Sequence, residues 1–171
     1  METADVPRRP PILETPGPEP GIIDAAQLYR KKQRIPSRVV LCFFQEVLNR
    51  AREAGELRPL HQLRGEGEPV PVYGAGRGRH AVTVAWPGLT APFAASVLEE
   101  LIGLGGQRFV CCGGAGVLDG TIPVGTPIVV NRALRDEGTS YHYLRPGRWS
   151  RPDRDACEAL KAACRRAGVR Y

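Results

Sequence analysis

Four small residues in a row, Gly113 to Gly116, follow the short apolar run Arg108 to Cys112. A loop with almost no side chains lets backbone N–H groups close on an anion, and such a loop sits where ligands approach an open α/β sheet. A second glycine-bearing turn, Pro87-Gly88-Leu89-Thr90, joins an alternating apolar stretch to a helical one, and Thr90 is placed to cap that helix. Arg64 and Gly65 open a third glycine-rich turn, and Arg135 to His142 reads RDEGTSYH. His142, between Tyr141 and Tyr143, is of a residue type suited to moving a proton or to packing. Asp136 and Glu137 are adjacent, and on a strand adjacent side chains face opposite ways, which makes them poor candidates for sharing a proton. Cys42, Cys111, Cys112, Cys157 and Cys164 form no CxxC pair and have no histidine at ligand spacing, so no metal site is expected. Cys111 and Cys112 read as buried filler rather than nucleophiles.

These residues need elements to hold them. Ala81 to Trp86 alternates as a strand does; Val97, Leu98, Leu101 and Ile102 then recur at helical spacing, and Gly103, Gly105 and Gly106 close the helix before the strand Arg108 to Cys112. A strand, helix and strand in series require a parallel sheet. Earlier, Val39 to Phe43 reads as the first strand and Gln45 to Ala54 as a helix with Val47, Leu48 and Ala51 on one side. Pro69 to Tyr73 is a further strand, and Gly74, Gly76 and Gly78 turn the chain after it. The GAGRG there precedes a strand instead of opening a helix, so it is no dinucleotide fingerprint. Pro123 to Val130 is expected as a strand; Ala156, Cys157, Leu160, Ala163 and Cys164 lie on one face of a last helix ended by Gly168, and Val169 to Tyr171 look like the start of another strand. The fold class is α/β, with a mixed, largely parallel central sheet flanked by helices.

Residues 1–36 read as a proline-rich extended arm, with Pro7, Pro10, Pro11, Pro16, Pro18 and Pro20 blocking regular structure and Ile12 and Leu13 as anchors. The basic run Arg30, Lys31, Lys32, Arg34 and Arg38 reads as a solvated turn before the α/β domain of residues 37–171. A net charge of +6 raises the question of nucleic acid, but the cations are scattered and aromatics make up 6% of the chain, too few for base stacking. The basic field instead favours drawing in phosphate. With no apolar run of spanning length and no leader pattern, the expectation is a cytoplasmic protein without nucleic-acid or membrane partners.

The unit from Val82 to Leu118, followed by GTIPVGTPIVV and by ALRDEGTSYHYL from Ala133 to Leu144, resembles the nucleoside phosphorylase family, its uridine phosphorylase-like branch in particular. The resemblance runs from about Ser37 to the end and corresponds to the N-terminal half of such a protein, so it implies a phosphorylase-like fold cut after its first half. It implies phosphorolytic cleavage of the N-glycosidic bond of a uridine-like nucleoside, inorganic phosphate as co-substrate, no cofactor or metal, and a homo-oligomer or a complementing C-terminal half as partner. By the same resemblance Gly113, Gly114 and Arg64 fall at phosphate positions, Arg64 serving a partner subunit, while Gly88, Leu89 and Thr90 form the turn beside ribose. His142 is a further candidate; the resemblance identifies no catalytic residue here.

The sequence departs from the family at three points. Cys42, Phe43, Phe44, Gln45 and Glu46 stand where many members have a glycine- and arginine-bearing phosphate loop; Cys111 replaces an arginine, and Gly114 a serine or threonine. Each charge-assisted hydrogen bond lost this way is worth about 1.5–3 kcal/mol. In the family the ribose-binding glutamate and the base-recognition groups come from the C-terminal half, so this polypeptide is expected to have little activity alone. A nucleosidase-like hydrolase, using water in place of phosphate, and a non-catalytic binding or assembly module stay open beside phosphorolysis.

Overall fold

The computed structural model describes residues 11–13, 22–64 and 67–171. Most of the arm's prolines (Pro7, Pro10, Pro16, Pro18 and Pro20) and Gly65 lie outside the described residues. The chain divides into two compact units, one running up to Ala115 and the other from Gly116 to Tyr171, which also takes in the Pro11–Leu13 turn.

In the first unit the order is α1 (Ala25–Leu28), β1 (Arg38–Cys42), α2 (Gln45–Glu53), β2 (Arg58–Leu63), β3 (Val70–Ala75), β4 (Val82–Ala85), α3 (Ala91–Gly103) and β5 (Arg108–Cys112). The five strands form one sheet in the order β2-β3-β4-β1-β5. β1 pairs in parallel with both β4 and β5, whereas β3 is antiparallel to β2 and β4. The sheet is therefore mixed and flanked by helices, as expected. Val39 and Leu41 of β1, Val72 of β3 and Ala85 of β4 pack with Val97, Leu101 and Leu104 on one face, while Cys42 and Val84 pack with Leu48 of α2 on the other. Thr83, buried on β4, keeps its hydroxyl satisfied by donating to the Pro36 carbonyl at 2.9 Å. Arg34, from the basic run, donates to the Gly103 carbonyl at 2.8 Å and so closes the C-terminal end of α3.

In this unit the structure differs from the sequence reading at three points. β2 has no counterpart in the sequence reading, because Pro59 and the polar Arg58, His61 and Gln62 hide it. An edge strand tolerates a proline, and the pairing with β3 shifts register between Pro59 and His61. Val47 of α2 is exposed, leaving Leu48 as the buried residue of that helix. Cys111 and Cys112 are exposed, because β5 is an edge strand.

The second unit has less regular structure. Pro123 to Val130 forms no strand: Pro123 and Pro127 lack N–H donors, and Gly125, at φ 85°, sits in a turn in which the Thr126 N–H donates to the Pro123 carbonyl at 3.2 Å. The short strands β6 (Ala133–Leu134) and β7 (Trp149–Ser150) pair antiparallel, with a single 3-10 turn, Thr139–His142, between them. α4 (Arg154–Arg166) begins at Asp153, whose carboxylate accepts from the Ala156 N–H at 2.8 Å, and it buries Cys157. Val169 to Tyr171 forms no strand; the Tyr171 hydroxyl accepts from Arg165 at 2.7 Å.

Candidate functional site

Strand direction decides which segments share an end of the sheet. β4, β1 and β5 are parallel neighbours, so the turns after them leave from one edge. β2 is related to β4 through two antiparallel pairings, and its end faces the same way. Gly88-Leu89-Thr90 after β4, Phe43-Phe44 after β1, Gly113-Gly114 after β5 and Arg64 after β2 therefore all emerge at the carboxyl edge. Lateral distance separates them. β4 and β5 lie two strand spacings apart, about 10 Å, with β1 between; β2 and β5 lie four spacings apart, about 19 Å. The expected ribose turn and glycine loop thus come together on either side of Phe43-Phe44, and Arg64 does not join them.

Gly88 has φ 79°, and a Cβ there would stand 1.8 Å from Cδ1 of Phe93, so neither the backbone nor the space allows another residue. Phe93 in turn meets Trp86 edge-on at 6.3 Å between ring centroids. This packing presents Leu89 to solvent, 80% exposed. On the other flank the Phe43 N–H donates to the Cys112 carbonyl at 2.9 Å, and a Cβ at Gly113 would come within 3.1 Å of the Phe43 Cβ. Phe43 thus lies against the glycine loop, where many family members are expected to have a phosphate-holding loop. A Cβ at Gly114 would lie 3.7 Å from the Phe44 ring.

α2 and α3 both start at this edge. Their cap residues, Phe44 and Thr90, make no side-chain capping hydrogen bond, so Thr90 occupies the expected position without using its hydroxyl. First-turn N–H groups of a helix attract negative charge. Glu46 in the first turn of α2 opposes that attraction, although it pairs with Arg50 one turn on. The turns flanking β1 thus offer backbone donors and apolar surface, but no guanidinium.

Nor do they offer a thiolate. Partial burial, and then the neighbouring Cys42 thiol, push the Cys112 thiol up to about 11, and partial burial also raises Cys111. Both are protonated near neutral pH.

Arg64 lines a cavity of about 550 Å³ with Tyr29, Lys32, His61 and Gln62. The Tyr29 ring meets His61 edge-on at 5.7 Å, and its hydroxyl donates to Glu100. In the second unit, His142 is exposed at the end of the 3-10 turn. The residue that organises its segment is Arg135, only 7% exposed. Its guanidinium donates to the Ser140 hydroxyl at 2.9 Å and to the carbonyls of Arg145 at 2.7 Å, Ser140 at 3.0 Å and Leu144 at 3.1 Å. It also lies 4.5 Å from the Tyr141 ring centroid, and the Tyr141 hydroxyl donates back to the Arg135 carbonyl at 3.0 Å. Asp136 and Glu137 lie in a loop rather than on a strand. Glu137 accepts from the Ser140 hydroxyl and N–H, and these bonds hold its carboxyl below the usual range. Nothing in the sequence separated Arg135 from the surface arginines, since its burial depends on carbonyls five to ten residues away.

Among the described residues no cluster of three or more His, Cys, Asp or Glu side chains could hold a metal ion. No helix among them is long and apolar enough to cross a membrane.

Comparison with known proteins places this geometry. The family model of the phosphorylase superfamily matches residues 37–171. A uridine phosphorylase of Thermococcus kodakarensis is 33% identical over 121 residues, 71% of this chain and 40% of its own length. A guanosine phosphorylase of Halorubrum lacusprofundi is 35% identical over 82 residues, 48% of this chain and 34% of its own. The chain thus spans well under half the length of these relatives. The crystal structure of uridine phosphorylase from Vibrio fischeri complexed with 6-hydroxy-1-naphthoic acid superposes with a TM-score of 0.67 at 23% identity, covering 91% of this chain and 60% of that one. The shared fold, the matched family model and the uridine phosphorylase relatives lead to one conclusion: the chain belongs to the phosphorylase superfamily, among its nucleoside phosphorylases and on the uridine phosphorylase-like branch.

Proposed function

We propose that this chain supplies one wall of a nucleoside phosphorylase site, where phosphate attacks C1′ of a uridine-like nucleoside. In that reaction a phosphate oxygen bonds to C1′ as the N-glycosidic bond breaks; the bonding pair leaves with the base, which takes up a proton, and ribose 1-phosphate remains. The observation that carries this reading is the placement of Gly88-Leu89-Thr90 and Gly113-Gly114 about 10 Å apart across β1, a span that suits a pentose and a phosphate side by side. The backbone amides of Gly113 and Gly114 hold the phosphate, and the turn at Gly88, Leu89 and Thr90 faces ribose. Arg64 sits at the far end of the same edge, which supports its serving a second copy in a homo-oligomer. His142 is a further candidate for a role in the complete site.

By itself the chain turns over little. Its phosphate loop has amides but no guanidinium, and the loss of each transition-state donor typically costs about 2.7–4 kcal/mol. Free cysteines suit a reducing compartment such as the cytoplasm. The packing of Phe43 on Gly113 favours a second reading, hydrolysis by water, because that contact narrows the space for phosphate.

Incubating the purified chain with uridine, with and without phosphate, and following free uracil by liquid chromatography tests these readings. The expected result is base release near background, with weak phosphate binding by calorimetry. Rapid release that needs phosphate would overturn the claim of low intrinsic activity, and rapid release without phosphate would establish the hydrolase.

A further inference from the structure

Cys42 and Cys112 end neighbouring parallel strands, and they are direct partners in the register of β1 and β5. Residues so paired have Cα atoms about 4.8 Å apart, inside the range of about 4.4–6.8 Å that a disulfide spans. The two thiols also sense each other: after partial burial, the neighbouring Cys42 thiol is the next cause that raises Cys112. Cys42 is buried, Cys112 is exposed, and β5 is an edge strand, paired on one side alone.

We propose that Cys42 and Cys112 form a dithiol that hydroperoxide oxidises to an intrachain disulfide at the floor of the carboxyl edge. The accessible partner reacts first. Reaction goes through the small fraction of Cys112 that is deprotonated at neutral pH: the thiolate attacks a peroxide oxygen, the O–O bond breaks, Cys112 becomes a sulfenic acid, and the departing hydroxide takes up the proton lost by the thiol and leaves as water. The Cys42 sulfur then attacks the Cys112 sulfur; the S–O bond breaks, and hydroxide leaves as water with the proton from Cys42. Two thiols lose two electrons, and one hydrogen peroxide becomes two waters.

The bridge has a local consequence. The Cys42 thiol now donates to the Phe44 carbonyl at 3.8 Å, and oxidation removes that proton. It also ties the strand ends beneath Phe43 and Gly113, which already touch. Oxidation therefore acts on the loop that borders the candidate phosphate site. Cys111, next in sequence, is paired with Leu41 instead and points to the opposite face of β5.

The test is peroxide treatment of the native full chain, followed by alkylation under denaturing conditions and mass spectrometry. The expected result is loss of two of the five alkylatable thiols, with a peptide containing Cys42 joined to one containing Cys112. Cys111→Ser should still form the bridge, and Cys112→Ser, at an exposed position, should stay folded and lose it. A stable sulfenic acid trapped by dimedone in Cys42→Ala would give further support. Five free thiols after treatment, a Cys111–Cys112 bridge, dimers linked between chains, or a bridge persisting in Cys112→Ser would each overturn the proposal.

Discussion

At Gly88 two penalties coincide, a left-handed backbone at φ 79° and an aromatic ring 1.8 Å from where a Cβ would stand. Gly55 has nearly the same φ, 72°, but open space around it. The pair separates strain from overlap. Gly55→Ala is expected to destabilise by about 1 kcal/mol, and Gly88→Ala by at least about 2–3 kcal/mol, because Phe93 must also leave its place against Trp86. Urea denaturation of both variants checks this, and equal losses would show that Phe93 gives way freely. Glu137 offers a residue-scale test in pH. Hydrogen bonds from Ser140 depress its folded-state pKa below the unfolded value. A depressed carboxylate stabilises the fold above the unfolded pKa, near 4.5, and that contribution disappears as pH falls through the folded one. Glu137→Gln should therefore flatten the acid limb of the stability profile below about pH 5. An unchanged acid limb would mean that Glu137 does not hold Ser140 in solution.

Among the elements, α3 and the strands it covers were the most legible. Two periodicities and the flanking glycines fixed β4, α3 and β5 to within about a residue, because burial on one face leaves a pattern that local spacing reports. β2 escaped notice because an edge strand tolerates Pro59 and polar residues, and Pro123 to Val130 passed for a strand because its valines and isoleucine outweighed the two prolines. Edge position, which exposes Cys111 and Cys112 and puts Arg64 far from Gly113, is a property of strand order, and no local window contains it. The site was legible to the same extent: its turns could be read, their lateral distances could not. Leu101, fully buried where α3 meets β1, tests the element directly. Leu101→Ala should cost about 2.7–5 kcal/mol by denaturation, and Ile102→Ala, on the exposed side of the same helix, well under about 1 kcal/mol. Arg135 plays the corresponding part between β6 and β7. Arg135→Met fits the same space but orphans four acceptors, so amide exchange over residues 135–145 should accelerate while β1 stays protected. Unchanged exchange there would remove Arg135 as the organiser of that loop.

For the chain as a whole, the distribution of buried side chains predicts unequal stability. Apart from Cys157 and Arg135, every buried residue among those described belongs to the unit ending at Ala115. There the central strands β4 and β1 are paired on both sides and covered on both faces. In the other unit, residues 117–132 have turns but no ladder, and Leu118 and Val124 are fully exposed. Local opening free energy follows buried apolar contact and hydrogen-bond density, so it should run from near zero in residues 117–132 to the global value in β1 and β4. Hydrogen exchange read by mass spectrometry should show residues 117–132 exchanged within the shortest labelling time and α4 intermediate, since α4 has an intact cap and one buried position, Cys157. The amides of Val39 to Leu41 and Thr83 to Ala85 should be the last to exchange. Protection of residues 117–132 equal to that of β1 would show that something other than the burial described here stabilises them, most directly a surface on another copy of the chain covering Leu118 and Val124. Dilution separates these cases, because exchange in an independent monomer does not depend on concentration, while protection provided by a second copy fades as the protein is diluted.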